Sequence, residues 1–137
     1  MEKYAIREYV GYGEELLALY ESVGWSAYYH QSEVLKAAFA HSLCVFGAYD
    51  AGQLVGLVRT VGDGASVVFI QDILVRPEYQ RRGIGRRLVA AVMQRFSHVR
   101  QIHLLTDDMP QTVGFYKAVG FTPVEELHCR AFTRLRY

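Results

Sequence analysis

The sequence predicts an α+β domain, with a mixed, mostly antiparallel sheet, one parallel strand–helix–strand crossover and about four flanking helices. Glycine-containing turns in the first half separate apolar runs, which is typical of an antiparallel meander. The run Val67–Val75 is rich in β-branched residues and leads into an amphipathic helix. A short apolar segment at residues 101–105 follows that helix, and a unit of this length pairs its strands in parallel with a right-handed crossover.

The N-terminal segment is predicted to contain a strand and a pair of helices. Residues 4–10 alternate loosely between polar and apolar types, as a strand does. Residues 14–23 carry apolar side chains at helical spacing, and Gly24 closes this helix. Ser32 is a suitable cap for a second helix that runs through Phe39.

The middle of the chain predicts antiparallel strands in succession. Strands over residues 43–49 and 53–61 are joined at residues 50–52, Asp-Ala-Gly, which is a hairpin signal. Residues 62–64, Gly-Asp-Gly, turn the chain again into Val67–Val75. That last strand is expected to be the central one.

The second half predicts further helices and short closing strands. The helix after the central strand has an apolar residue at every fourth position, namely Ile84, Leu88, Val92 and Phe96. Pro110 suits the first turn of the last helix, which Gly120 ends. Residues 124–126 and 131–136 are expected to form closing strands.

Length and composition favour one domain over residues 1–137, with a sizeable core, because 51% of the residues are hydrophobic. A net charge of +1 gives no general reason to expect nucleic acid as a partner. Cys44 and Cys129 form no disulfide framework and have no metal-ligand spacing, so reduced thiols and no metal are expected. The first residues do not resemble a signal peptide, and no apolar run approaches the ~20 residues that cross a bilayer, which predicts a cytoplasmic protein without membrane contact.

The segment that follows the central strand has the composition of an anion-binding loop. A helix start leaves backbone N–H groups unpaired and carries partial positive charge, so Ser, Thr, Asp or Asn caps and acidic residues are common there. Here no Asp or Glu occurs between Glu78 and Asp107. The helix start instead carries the arginines Arg81, Arg82, Arg86 and Arg87. Because Gly83 and Gly85 let the backbone approach an anion closely, the segment predicts a diphosphate seat.

Other phosphate-binding loops do not match this segment. A Walker loop needs Gly-Lys followed by Ser or Thr, which the sequence lacks. A dinucleotide-binding fingerprint needs Gly or Ala where Leu88 stands. It also places its first glycine directly after the strand, whereas residues 76–82 intervene here.

Two ordered motifs in the second half carry a family resemblance. The Q/R-x-x-G-x-G/A motif of one superfamily matches the hexad from Gln80 to Gly85, together with Val75, Pro77 and Tyr79 before it. The later FY-x-x-x-GF signature of the same superfamily matches Phe115, Tyr116, Gly120 and Phe121. The chain therefore resembles the GNAT superfamily of acyl-CoA-dependent N-acetyltransferases, closely over roughly its second half. It also has some likeness to the arylalkylamine acetyltransferases of plants and cyanobacteria, which carry an aspartate at the position of Asp72.

The resemblance implies that acetyl-CoA is the cosubstrate. In the GNAT fold the fourth and fifth strands splay apart and the pantetheine arm enters the gap, where backbone groups of Leu74 and Val75 are expected to contact it. The remaining expected cofactor-binding residues are Gln80, Arg81, Arg82, Gly83, Ile84, Gly85 and Arg86. A homodimer is common in the family, although no residue of this sequence argues for one.

Tyr116 and Asp72 are the candidate catalytic residues. Tyr116 matches the tyrosine that the family places beside the CoA sulfur, where a phenol can protonate the leaving thiolate. The alternative is a core aromatic beside Phe115. Asp72 is the candidate base or amine anchor, because a carboxylate within an apolar strand is costly to bury unless it is paired or functional. The alternatives are a structural ion pair, with Arg59 as partner, or an exposed face of the strand.

The acceptor site is expected to lie under the segment between the first helices. Its aromatic residues, Trp25, Tyr28 and Tyr29, could hold an amine by cation–π contact or stack on an aromatic substrate, or could simply pack a helix corner on the sheet. The function expected from these features is direct acetyl transfer from acetyl-CoA to a small-molecule amine, with an arylalkylamine as the first choice. The alternatives are a protein or peptide amine as acceptor, and a non-catalytic CoA-binding sensor module.

Overall fold

The structure, a computed structural model, describes residues 3–25 and 32–136. It divides into two compact units, Met1–Leu105 and Thr106–Tyr137. The first unit contains a five-stranded sheet in the order β1-β2-β3-β4-β5. Its strands are β1 (Ala5–Glu8), β2 (Cys44–Asp50), β3 (Gln53–Gly62), β4 (Val67–Val75) and β5 (Gln101–Leu104). Neighbouring strands pair antiparallel except β4 and β5, which are parallel, so the predicted α+β class, meander and crossover are confirmed.

The four predicted helices are also present. They are α1 (Glu14–Ser22), α2 (Ser32–Ala40) and α3 (Ile84–Arg95) in the first unit, and α4 (Pro110–Ala118) in the second. Each helix agrees with its predicted span to within a few residues at either end. Each of these helices begins at, or directly after, a Gly, Pro or Ser residue, because such residues act locally on the backbone.

The two predicted closing strands are wrong. Val124–Leu127 forms a single 3₁₀ turn, ended by His128 in the left-handed conformation with φ 58°. Residues 128–136 have neither helix nor strand. Alternating apolar residues favour a strand only where a partner strand and a packed face are available, and none of the described strands pairs with this segment. Local pattern alone therefore predicted pairing that the second unit does not contain.

A core cluster lies between one face of the sheet and the helices α1 and α2. Its fully buried members include Leu16, Leu19, Tyr20, Leu35 and Leu57. On the opposite face, α3 approaches β3 closely at Gly56. A Cβ atom at that position would lie 3.2 Å from the Ile84 side chain, so the absence of a side chain there lets α3 and its preceding loop lie close to the sheet.

A β-bulge in β4 places Asp72. Thr60 pairs with Ile70 and the adjacent Arg59 pairs with Asp72, so Gln71 is an extra residue in β4. Arg59 and Thr60 are adjacent in β3, so their side chains point to opposite faces of the sheet. Their partners Asp72 and Ile70 therefore also point to opposite faces, although they are two residues apart. Without the bulge these two side chains would share one face. The bulge thus turns Asp72 toward the face covered by α1.

Gly62→Ala is expected to lower the free energy of unfolding by roughly 1–3 kcal/mol, because it strains the end of the hairpin that leads into β4. Gly62 has φ 134°, and a Cβ atom there would lie 2.5 Å from Val67 O. Urea unfolding measures the change. The control is Gly114→Ala in α4, where no atom outside the adjacent residues and the helix backbone lies within 4 Å of the added carbon. Equal stability of the two variants would contradict the expected strain.

Candidate functional site

The loop before α3 presents an uncapped helix start. After the 3₁₀ turn Pro77–Tyr79, Arg81 and Gly83 take left-handed conformations, with φ 63° and 83°. Gly83 is the N-cap residue of α3, makes no side-chain cap and precedes a first turn without acidic residues. The first backbone hydrogen bond of this helix runs from Arg87 N–H to Gly83 O, at 3.1 Å. The N–H groups before it are therefore available to an anion.

Two arginines of this region are held by the N-terminal segment. Arg82 Nη1 donates to Tyr4 Oη at 3.0 Å, and its guanidinium lies 5.2 Å from the centre of the Tyr79 ring. Arg87 Nη1 donates to the carbonyl oxygen of Tyr4 at 2.7 Å. Arg86 is exposed at the same helix start. The sequence did not identify Tyr4 as part of this region, because Tyr4 is 78 and 83 positions away from Arg82 and Arg87 along the chain.

The sheet is open beside the second half of β4. Pairing with β5 ends at Ile70 and Leu104, whereas β4 continues to Val75 and remains paired with β3 as far as Gly56. No strand of the five-stranded sheet pairs with β4 on the β5 side beyond Ile70. Gln80 Nε2 donates to Val75 O at 3.0 Å. Leu74 and Val75, the residues expected to contact a pantetheine chain, thus lie beside this gap between β4 and β5.

Asp72 belongs to a buried hydrogen-bonded triad. Arg59 Nε donates to Asp72 Oδ2 at 2.8 Å, and the hydroxyl of Tyr20 donates to the same oxygen at 2.9 Å. Asp72 is 2% exposed and Arg59 is 5% exposed. Burial opposes the charge of Arg59, but the hydrogen bond and the charge of Asp72 outweigh it, so the pKa of Arg59 is raised. The ion pair that was one of the alternatives for Asp72 is therefore present.

Tyr20 is the member of this triad that the sequence did not reveal. It occupies a core position of α1 and is completely buried. Burial, followed by the charge of Asp72, raises the pKa of Tyr20 far above its usual range, so the phenol stays protonated and remains a donor. A tyrosine among the leucines of an amphipathic helix was the available signal, since a buried tyrosine hydroxyl usually has a hydrogen-bond partner.

Aromatic rings surround the triad on the side of α1 and α2. The ring centres of Tyr20 and Trp25 are 5.9 Å apart, and those of Tyr20 and Phe39 are 6.1 Å apart. The Arg59 guanidinium lies 5.6 Å from the centre of the Phe39 ring. Trp25 thus packs against Tyr20, which in turn donates a hydrogen bond to Asp72. Tyr28 and Tyr29, also predicted to contact the acceptor, lie outside the described residues.

The second unit contains Tyr116 within its own aromatic cluster. Its ring packs edge-to-face against Phe115 and Phe121, with centres 5.0 and 6.0 Å away. Phe121 N–H donates to Tyr116 O at 2.9 Å, so the FY-x-x-x-GF residues pack on one another. Burial, with a contribution from the charge of Asp107, raises the pKa of Tyr116 to about 12. The phenol is therefore protonated at neutral pH.

Residues 3–25 and 32–136 contain neither a metal-binding cluster nor a membrane-spanning helix. No group of three or more His, Cys, Asp or Glu side chains in these ranges could hold a metal ion. No helix in the same ranges is long and apolar enough to span a membrane.

Comparison with known proteins gives consistent matches. The model of the Acetyltransferase (GNAT) family matches residues 11–121. The protein named serotonin N-acetyltransferase 2, chloroplastic, from Oryza sativa subsp. japonica is 36% identical over 99 residues, which are 66% of this chain and 48% of that protein. Three curated relatives that the chain matches are longer, and it spans 60%, 61% and 48% of their lengths.

Solved structures agree with this match. A GNAT family acetyltransferase from Streptococcus pneumoniae TIGR4 superposes with a TM-score of 0.88 and 36% identity, covering 97% of this chain and 98% of the other. The aminoglycoside N-acetyltransferase AAC(6')-Iy, solved with a bisubstrate analogue of CoA, superposes with a TM-score of 0.72 over 99% of this chain and 100% of the other. Its identity of 22% makes this a likeness of fold.

Proposed function

Because the chain belongs to the GNAT acetyltransferase family, we propose that it transfers an acetyl group from acetyl-CoA to a primary amine of a small molecule. The observation that carries the proposal is the start of α3. This helix has neither a side-chain cap nor an acidic residue in its first turn, yet it follows a glycine loop with several arginines. Such a helix start is stabilised by an external anion, and the diphosphate of CoA is one.

The residues of the first unit fit acetyl-CoA in two places. Backbone N–H groups at residues 81–86 and the exposed Arg86 suit the diphosphate. The unpaired side of β4 at Leu74 and Val75 suits the amide groups of the pantetheine arm, which can hydrogen-bond to a strand edge. The cosubstrate supplies the activated acetyl group as a thioester.

In direct transfer the two catalytic candidates act on different protons, one lost by the amine and one gained by the leaving thiolate. The amine nitrogen attacks the thioester carbon, forms the C–N bond and becomes positively charged, and Asp72 accepts the proton that this nitrogen loses. The C–S bond then breaks, and the thiolate takes a proton from the hydroxyl of Tyr116. A phenol with a pKa of about 12 keeps its proton at neutral pH, as a general acid for the leaving group must.

An arylalkylamine is the acceptor that we favour. The aromatic rings of Trp25 and Phe39 are partly exposed, flank the buried Tyr20 on the same side of the sheet as Asp72, and could pack against an aromatic acceptor. The relative from Oryza sativa is named as a serotonin N-acetyltransferase, and serotonin is an amine of this class.

Thiol release from acetyl-CoA tests the proposed function. Purified protein is mixed with acetyl-CoA and, in separate reactions, tryptamine, phenylethylamine, a polyamine, an aminoglycoside or a lysine-containing peptide. Fastest release with the arylalkylamines is the expected result. Release with the peptide alone would replace the small-molecule acceptor by a protein. Binding of acetyl-CoA without release in any reaction would indicate the sensor module.

Asp72→Asn is expected to lower kcat/KM at least about 100-fold, because loss of a general base typically costs that much. The acidic limb of the rate profile against pH should also flatten, since an amide neither loses nor gains a proton there. Rates are measured by thiol release across the pH range, with acetyl-CoA affinity as the check on folding. An unchanged profile would remove Asp72 from the reaction and leave it as the ion-pair partner of Arg59.

A further inference from the structure

The hydrogen bonds of the Asp72 carboxylate are unevenly divided between its two oxygens. Tyr20 and Arg59 both donate to Oδ2, at 2.9 and 2.8 Å. Among the described residues, none donates to Oδ1. No described side-chain nitrogen or oxygen is both sealed from solvent and without a partner, so Oδ1 is not closed off inside the core. One oxygen is fixed and the other is available.

Arg59 is oriented so that it contributes to this asymmetry. Arginine and carboxylate commonly pair through two parallel hydrogen bonds, one to each oxygen. Here Arg59 gives only Nε to Asp72 and directs Nη1 to Ser42 Oγ, at 3.3 Å. Ser42 Oγ itself donates to Ala38 O at 2.8 Å, and the Phe39 ring lies against the guanidinium. A pair that served stability alone would gain from the second hydrogen bond that this arrangement forgoes.

We infer that Tyr20 and Arg59 are positioning residues, which hold Asp72 by Oδ2 and direct Oδ1 to the acceptor amine. The inference rests on the proposed acetyl transfer and adds the atom that meets the amine and the residues that orient it. The bulge at Gln71 brings Asp72 to the face of β4 from which both partners can reach it. An amine held at Oδ1 gives its proton to an oxygen whose direction is already set.

Tyr20→Phe is the most direct test, because it removes one donor from Oδ2 and keeps the buried ring. Among the described residues of the first unit, the titratable groups in contact with the carboxylate are Tyr20 from α1 and Arg59 from β3. Phe39 of α2, and Ser42 after it, are contacts of Arg59. A hydrogen bond to a charged group is worth enough that kcat/KM for tryptamine should fall about 10- to 100-fold. The acidic limb of the profile should move to higher pH, since the ionised carboxylate loses a donor.

The matched control is Tyr12→Phe. Tyr12 belongs to the same aromatic cluster, 6.2 Å from the Phe39 ring, and donates its hydroxyl to Ser32 O at 2.8 Å. This control loses a hydrogen bond of the same kind that does not touch Asp72, so its profile should match that of the wild type. Arg59→Lys is a second variant, which keeps the charge and loses the guanidinium geometry. Arg59→Lys should lower kcat and leave the acidic limb of the rate profile at the same pH as in the wild type.

The outcomes separate the inference from the proposed function. Calorimetric titration with acetyl-CoA first shows that each variant is folded and binds the cosubstrate. The positioning role is supported if the wild type turns over and Tyr20→Phe, but not Tyr12→Phe, has a lower kcat/KM and an acidic limb moved to higher pH. Wild-type turnover that both Tyr20→Phe and Arg59→Lys leave unchanged overturns the positioning role alone. Absence of turnover by a wild type that binds acetyl-CoA overturns the proposed function, and the inference with it.

Discussion

Gly85→Glu is expected to weaken acetyl-CoA binding at least about 100-fold, because a carboxylate placed at the helix start competes with the diphosphate for the same N–H groups. Gly85 lies in the first turn of α3 and is not among the residues with positive φ, so its backbone accepts a side chain. Calorimetric titration measures the affinity. The diphosphate is the most highly charged part of the bound cosubstrate near this loop. Loss of its contacts with the loop should therefore be the largest single effect on acetyl-CoA affinity.

Folding and binding should respond to this substitution in opposite directions. An acidic residue in the first turn stabilises a helix, and replacing glycine inside a helix removes a cost of about 0.5–1 kcal/mol. The variant should therefore unfold at the same temperature as the wild type or higher while it loses acetyl-CoA. Ala90→Glu, on an exposed position of the same helix, adds the same charge away from the loop and serves as control. Micromolar binding by Gly85→Glu would show that the diphosphate sits elsewhere.

Tyr116→Phe is expected to lower kcat about 100-fold or more, the usual contribution of a general acid, with little change in acetyl-CoA affinity. The phenol hydroxyl is the only group removed, and the ring contacts with Phe115 and Phe121 do not depend on it. Single-turnover thiol release separates this chemical effect from binding and product release.

The raised pKa of Tyr116 adds a spectroscopic check. A group whose pKa is about 12 when folded and about 10 when unfolded stabilises the fold below pH 10, and this contribution disappears as the pH rises through 12. The absorbance of phenolate above pH 11 should therefore decrease in Tyr116→Phe relative to the wild type. Phe115→Leu is the control for packing, because it disturbs the same cluster and keeps the hydroxyl. An unchanged kcat in Tyr116→Phe would assign the tyrosine to the core.

Local patterns predicted the parts of the fold and site that depend on neighbouring residues. The glycine loop, the uncapped start of α3 and the run Val67–Val75 could be read from the sequence because each is set by residues a few positions apart. The loop is also where the sequence departs from ordinary helix-capping rules, and such departures are often functional. Trp25 was predicted in the same way, as part of an aromatic segment, and its role in the acceptor site stays a prediction.

Features set by distant residues were not predictable in the same way. Tyr20 and Asp72 are 52 positions apart, and only the packing of α1 on the sheet brings them together. The expected closing strands failed for a related reason, since residues 131–136 have the strand pattern but none of the described strands pairs with them. Ile70 and Asp72 are two residues apart, a spacing that places side chains on one face of a regular strand, but the register with β3 shows that they are on opposite faces.

The bulge in β4 bears on how sequences of this family should be aligned. A bulge adds one residue to β4 that has no counterpart in β3, so the number of residues between Ile70 and Leu74 can differ by one while the pairing with β3 stays the same. A relative that retained Asp72 and both of its partners but lacked a counterpart of Gln71 would pair as a regular strand, with the acid still opposite Arg59 on the face covered by α1. A one-residue gap at this point therefore marks loss of the bulge, whereas replacement of the acid or of its arginine partner marks a change in chemistry.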